Sequence, residues 1–398
     1  MTLRCTSLFS QLLQIFPSQE FQRAVREHGA EYNAKGFASW DQFVAMLFCH
    51  LAQADSLRDI CGGLRSCLGK VVHLGMADAP SRSTLAYANE HRPWQLYATV
   101  LDQLVARCHT LTGGRTKFRF RNKLYSMDST LIELSLAVFD WARYRFTKGA
   151  AKLHLVLDHE GYLPVFADLT AGHVHDVNIA RDLYFPPGSI LAVDRGYYAY
   201  DLFGQWTSDD IFFVTRMKKK TKYRVVERRE PPRGIICDQI IELTTPTARR
   251  LCPHRLRRIA YRDPDTGKHL VFLTNHLDFG ATTIARIYKD RWQIEIFFKE
   301  LKNTLKIKSF VGTSVNALMT QIWTALIALV LLKYLKLRSR FGWALSNLVA
   351  FLRWNLFTYR DLWQWLDDPF QTPPLGPQPE QLVLALPGLG QHKGGPGP

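Results

Sequence analysis

The sequence has no Cys-x-x-Cys pair, and its seven cysteines are odd in number and scattered from Cys5 to Cys252. That pattern excludes a disulfide-framed secreted domain and the common zinc spacings, and it fits a reducing cytoplasm. No hydrophobic signal region follows the opening Met-Thr-Leu-Arg, and no Gly-rich phosphate loop of the Walker type occurs, so secretion and ATP-driven work find no support. The most apolar run, residues 322–332, stops at Gln321 and Lys333 and is too short to cross a bilayer, which makes it a buried core helix. Acidic residues are scarce beside basic ones, 35 against 51, leaving a formal net charge of +16. A balance that basic points to a polyanionic partner. Two basic clusters stand out, Lys218, Lys219, Lys220, Lys222 and Arg224, then Arg249, Arg250, Arg255, Arg257 and Arg258. One such run is an ordinary solvated face, whereas two in one segment favour phosphate contact.

What is present is ample apolar content, 47% over 398 residues, enough for two or three domains. Residues 1–115 read as helical. Ser56 and Ser81 are candidate N-caps of short helices carrying Arg58, Arg65 and Arg82, a pattern open to either a helix-turn-helix element or a plain bundle. Residues 116–217 turn α/β, with strands expected at 117–127, 153–158, 163–169, 190–193 and 211–215 and helices at 176–184 and after 200. Residues 218–275 are β-rich, with strands expected at 223–230, 235–244, 256–261 and 269–273. Residues 276–335 return to helix. Residues 336–398 form a helical end region and a Pro- and Gly-rich tail from Pro369 that is expected to be disordered.

The segment from Tyr288 to Lys302 contains no Gly or Pro and has helical periodicity. At about 100° per residue, Arg291, Glu295 and Lys302 fall within about 60° of Tyr288 on one stripe. Ile287, Ile294, Phe298, Leu301 and Leu305 form an apolar stripe beside it. Charges bordering the buried edge suit a cleft for metal and phosphate, although an Arg291–Glu295 surface pair would give the same spacing. Two carboxylates weigh toward the cleft. Asp128 follows an expected strand, in Ser-Met-Asp-Ser-Thr. Asp194 closes the apolar run 190–193 and precedes Arg-Gly-Tyr-Tyr. Strand ends of open α/β sheets are where ligands bind, while a capping role is the plain alternative. His173 and His175 read as loop residues before a helix. Ser126, Ser129 and Thr130 lack a visible acid–base partner in the sequence.

Together these motifs resemble the DDE transposases of bacterial insertion sequences. Within that group they resemble the insertion sequence four family, whose third motif is Tyr-x2-Arg-x3-Glu-x6-Lys, matched here by Tyr288, Arg291, Glu295 and Lys302. The resemblance spans about residues 30–360. It implies an α/β fold, a ribonuclease H-like catalytic core with a β-rich insertion, a helical N-terminal domain and a helical C-terminal region. The core would comprise 116–217 and 276–335, the insertion 218–275, and the N-terminal DNA-binding domain 1–115. It implies Asp128, Asp194 and Glu295 as catalytic ligands of two Mg²⁺ ions, with Mn²⁺ as a substitute: Asp128 between both, Asp194 on one and Glu295 on the other. Tyr288, Arg291 and Lys302 would contact phosphate, and Trp292 would stack on an unpaired base. The resemblance implies double-stranded DNA as the partner, at element ends and target, bound by a homodimer, and the expected location is the cytoplasm, away from membranes. The reaction it implies is cut-and-paste transposition. A nuclease that stops at hydrolysis and a non-catalytic DNA-binding descendant are the competing readings.

Overall fold

In the computed structural model the described residues are 6–32, 34, 36–113, 117–133, 150–304 and 310–375. Among these residues nine strands form: β1 (Leu124–Glu133), β2 (Ala150–Asp158), β3 (Leu163–Ala171), β4 (Ile190–Val193), β5 (Phe212–Arg216), β6 (Tyr223–Arg229), β7 (Ile235–Leu243), β8 (Leu256–Arg262) and β9 (His269–Thr274). They join in one sheet of order β3-β2-β1-β4-β5-β9-β8-β7-β6. Only β1, β4 and β5 pair in parallel; every other neighbour is antiparallel. β4 is buried along its whole length, as a parallel strand covered on both faces should be. The β-rich segment does not start a second sheet, because β9 bonds directly to β5.

Two expectations need correction. β1 begins at Leu124, seven residues later than expected, and runs past Asp128 to Glu133 because β2 pairs with it along that whole length. Asp128 is therefore inside a strand rather than after one. The Pro-rich tail was expected to be disordered from Pro369, yet Thr372 is buried and the Leu375 amide donates to the Tyr359 carbonyl at 2.6 Å. The remainder of that tail, 376–398, lies outside the described residues.

The helices before β1 share one apolar core with β2 and with the helix Val315–Arg338. That helix is longer than the apolar run 322–332. Among the described residues it is the one helix long and apolar enough to cross a membrane, but 83% of its apolar window is buried inside the protein. Residues 325–332 are all fully buried, so the helix is a core element by packing. The expected N-caps form: Ser56 accepts from the Asp59 amide and Ser81 from the Thr84 amide, each at 3.1 Å.

A second core lies under β4 and holds the end of that strand. It depends on the helix Tyr200–Ser208 meeting the helix Pro246–Leu251 at Gly204. A Cβ on Gly204 would stand 2.0 Å from the Leu251 carbonyl oxygen, a backbone atom that cannot rotate away. Gly204→Ala should therefore lower stability by about 3 kcal/mol or more, at the upper end of overpacking costs. Gly62, in the helix Leu57–Arg65, has nothing within 4 Å of such a Cβ, so Gly62→Ala should be neutral or stabilising by up to about 1 kcal/mol. Thermal melts of both variants check the contrast, and equal effects would refute it.

Candidate active site

Parallel pairing of β1 with β4 aligns Met127 with Val193, so the next residues, Asp128 and Asp194, come side by side. Strand spacing sets such neighbours about 5 Å apart. β4 stops there, and Asp194 caps the short 3₁₀ turn Arg195–Tyr197, accepting from the Gly196 amide at 2.6 Å. A Cβ at Gly196 would lie 2.8 Å from that carboxylate oxygen, which explains glycine at this close approach. Thr215 on β5 donates to the Asp194 carbonyl at 3.1 Å and fixes its backbone.

Glu295 arrives from the other side of the site. The segment expected to be one continuous helix is instead three pieces: helix Ala281–Asp290, helix Gln293–Lys299 and a π-turn Glu300–Thr304. At the junction Arg291 and Trp292 keep helical dihedrals, but the bonds tighten to i→i−3: Trp292 to Lys289, Ile294 to Arg291 and Glu295 to Trp292. The even stripe is thus broken, since a tightened turn and then a wider π-turn both depart from about 100° per residue. The apolar side survives, with Ile287, Ile294, Phe298 and Leu301 buried; Leu305 lies outside the described residues.

Arg291 is the meeting point. Its guanidinium donates to Asp128 Oδ2 at 3.2 Å and to Glu295 Oε1 at 2.6 Å, and its side chain is only 10% exposed. It also lies over the Tyr288 ring, 5.6 Å from its centre. Its Nε is buried without a hydrogen-bond partner. Burial pushes the Asp128 carboxyl up to about 6; the charges of Asp194 and Glu295 push the same way, against the Ser129 amide and Arg291. A site made of carboxylate oxygens with more negative charge than Arg291 offsets fits a hard divalent cation. The other predicted residues are spread around it. Tyr288 is half-buried against Phe272, Trp292 is 58% exposed, and Lys302 donates to the Leu131 carbonyl on β1 at 2.7 Å.

A family profile described as a transposase DDE domain matches residues 119–331, more than half of the chain. The chain belongs to the DDE transposase family. This DDE transposase is 31% identical over 293 residues to the putative transposase y4zB of Sinorhizobium fredii, covering 71% of this chain and 80% of that one. It is 28% identical over 260 residues to the probable transposase for insertion sequence element IS5377 of Geobacillus stearothermophilus, 64% of this chain and 67% of that one. A piggyBac transposase synaptic complex with hairpin DNA aligns at a TM-score of 0.44 and 10% identity over 92% of this chain and 82% of that one, too slight a likeness to carry weight. Residues 4–77 match a domain of unknown function. Membership makes the chain a DNA transposase and implies a divalent cation.

Several neighbours of the site escaped sequence reasoning. Asp176, which opens the helix Asp176–Asp182, is a fourth carboxylate. It accepts from Ser129 Oγ at 2.7 Å and lies 3.5 Å from Lys152 Nζ and 3.4 Å from His154 Nδ1. The rule that singled out Asp194, an Asp closing an apolar run, misses it, because residues 172–175 separate Asp176 from the end of β3. His175 stands at the N-cap of that helix but makes no side-chain cap bond. Ser126 gains a partner in His159. Among the described residues the ligand atoms that gather within 4.8 Å of one another are those of His109, Asp158 and Glu160, and the three predicted carboxylates do not form such a set. That other cluster is already offset by Lys123, 2.5 Å from Glu160 and 3.4 Å from Asp158. In the basic segment, Arg257 is a correction: it is buried on Asp238 at 2.5 Å and cannot reach phosphate. Arg224 and Arg255 both pair with Glu242.

The raised Asp128 carboxyl has a stability consequence. A folded value near 6 against an ordinary 3.8 means that the protonated form suits the fold. That contribution is fully present below pH ~4 and is lost as pH rises through about 6. In chelator-treated protein, the stability difference between Asp128→Asn and the parent should move in the variant's favour by on the order of 3 kcal/mol from about pH 4 to pH 8. Denaturant melts at the two pH values measure it; a difference independent of pH would show that Asp128 is not held in this way.

Proposed function

We propose that this transposase cuts DNA at the ends of its element and joins them to a target, with Asp128, Asp194 and Glu295 as the ligands of two Mg²⁺ ions and Mn²⁺ as a working substitute. The observation that supports this most is the meeting of a β1 carboxylate and a helix carboxylate on one buried arginine, beside the in-register Asp194. Bound divalent ions would stabilise charge on the attacking and leaving oxygens of the phosphodiester. The chain's own residues do the rest. Arg291, with an unmet buried donor, would turn from its carboxylates toward a phosphate oxygen. Tyr288, under the Arg291 guanidinium, and Lys302, on the β1 side, would contact the same phosphate backbone, and exposed Trp292 is available to stack on an unpaired base.

The finer assignments belong to the same proposal. They are membership of the insertion sequence four family through its Tyr-Arg-Glu-Lys signature, a ribonuclease H-like core, a homodimer on DNA, a cytoplasmic location and a cut-and-paste route. In that route water cuts one strand, the freed 3′-hydroxyl closes a hairpin on the opposite strand, and after the hairpin opens it attacks target DNA. Asp128→Asn, Asp194→Asn and Glu295→Gln should each lower end cleavage by at least about a hundredfold, because a lost ligand removes charge stabilisation. Binding to end DNA, which rests mainly on cations, should hold. A variant that still cleaves within tenfold of the parent removes that residue from the set.

End recognition is assigned to the helices within residues 1–115. Because these helices share a core with the helix Val315–Arg338, surface substitution tests this better than truncation. Arg58 and Arg82 are exposed at helix starts and line one hollow with Ser56 and Ser83. Arg58→Ala with Arg82→Ala should reduce the preference for end DNA over scrambled DNA about tenfold at fixed salt, the size of a lost base contact. An unchanged preference in a competition assay would move recognition elsewhere.

A further inference from the structure

β1 presents Ser126 and Asp128 on the same face, two residues apart. Each is tied to the junction between the helices Ala281–Asp290 and Gln293–Lys299, by different means. Asp128 reaches it directly through Arg291. Ser126 reaches it through a relay: its Oγ meets His159 Nε2 at 2.6 Å, and His159 Nδ1 meets Asp290 Oδ2 at 2.7 Å. Asp290 immediately precedes Arg291. All three relay residues are buried, with Ser126 at 0%, His159 at 8% and Asp290 at 3% exposure. His159 follows β2, and its amide donates to the Leu124 carbonyl at 3.0 Å, so its ring is anchored to β1 by backbone as well. Asp290 takes two further donors, Lys117 Nζ at 2.5 Å and Tyr162 OH at 3.2 Å.

Ser, His and Asp in hydrogen-bonded series suggest a nucleophile, and the surroundings exclude that use. Ser126 Oγ has no exposure through which an ester or amide could approach. The relay does mechanical work instead. We infer that Ser126, His159 and Asp290 are positioning residues that hold the Glu295 helix at a fixed distance from the Asp128 strand. The inference rests on the metal reading proposed above. The Asp128–Arg291 contact uses an oxygen that is itself a proposed ligand, so it has to share that oxygen with a cation. The Ser126–His159–Asp290 relay uses no proposed ligand and stays intact when Arg291 yields. Outer residues that fix ligand positions commonly carry ten- to a hundredfold of metal affinity, about the size expected here.

The test is direct Mn²⁺ binding to the full chain without DNA, read by electron paramagnetic resonance, for the parent, Ser126→Ala, His159→Gln and the near-isosteric Asp290→Asn. Melting temperatures and end-DNA affinity are measured on the same samples. The expected result is about tenfold weaker Mn²⁺ binding in each folded variant, with end-DNA affinity within twofold of the parent. Mn²⁺ affinity within twofold of the parent in any folded variant, whether or not its melting temperature drops, makes the relay purely structural and overturns the inference. If Ser126→Ala or His159→Gln fails to fold, Asp290→Asn carries the same two outcomes, since it keeps the size and one acceptor of the carboxylate. A parent chain that binds no Mn²⁺, or whose binding survives Asp128→Asn, sinks the metal reading and this inference with it. Binding that is lost in Asp128→Asn yet retained in the relay variants sinks this inference alone.

Discussion

The placement of one guanidinium governs the centre of this molecule. Arg291 is buried between Asp128 on a strand and Glu295 one helical turn further along its own segment. A charge so buried persists only when paired, and removing either partner would leave the others uncompensated. The helix junction is accordingly drawn down onto the sheet, its hydrogen bonds tighten around residues 291–295, and Ile294, Phe297 and Phe298 are pressed into the core beneath. Burial first, and then the charges of Asp194 and Glu295, keeps the Asp128 carboxyl high. Structure and electrostatics thus meet at one point: the pair that fixes the geometry also leaves a site that a cation would relieve.

Around that point the sheet acts as a ruler. Parallel register between β1 and β4 sets Asp194 beside Asp128, and the antiparallel pairing of β1 with β2 brings His159 back to Ser126. The same sheet runs on through β9 to β6, so the β-rich segment is continuous with the strands that bear the carboxylates. Within it the buried Arg257–Asp238 pair, with Arg257 also donating to the Leu277 carbonyl at 3.1 Å, ties β7 and β8 to the loop before the helix Ala281–Asp290. Part of the chain's basic surplus is therefore spent on architecture. The exposed Lys219, Lys220, Lys222, Arg249 and Arg250 remain for a polyanion.

Much of the fold was legible in the residues because strands and caps are local. Expected strands at 190–193 and 235–244 appear as Ile190–Val193 and Ile235–Leu243, and Ser56 and Ser81 cap the helices they begin. β1 was misjudged because where a strand starts and stops depends on which residues its partner pairs with, and that register is not written in the strand's own residues. The helix Val315–Arg338 extends beyond its apolar run 322–332 for a related reason: its polar start is held by neighbours that a local reading does not see, Asn316 donating to the carbonyls of Asn89 at 2.8 Å and Arg92 at 2.6 Å.

By itself the sequence determined the chain's basic character, its apolar cores and the spacing of Tyr288, Arg291, Glu295 and Lys302, since composition and intervals are properties of the chain alone. It could also nominate Asp128 and Asp194, because each stands next to an apolar run. Tertiary structure alone decided that Arg291 serves two carboxylates, that Arg257 is a buried strut, that Asp176 borders the site, and that Ser126, His159 and Asp290 form one relay. Those residues are separated by as many as 163 positions, from Ser126–His159 at 33 and His159–Asp290 at 131 to Asp128–Arg291 at 163. A hydrogen bond acts over about 3 Å, so only the folded path of the chain, set by strand register and core packing, can say which donor meets which acceptor.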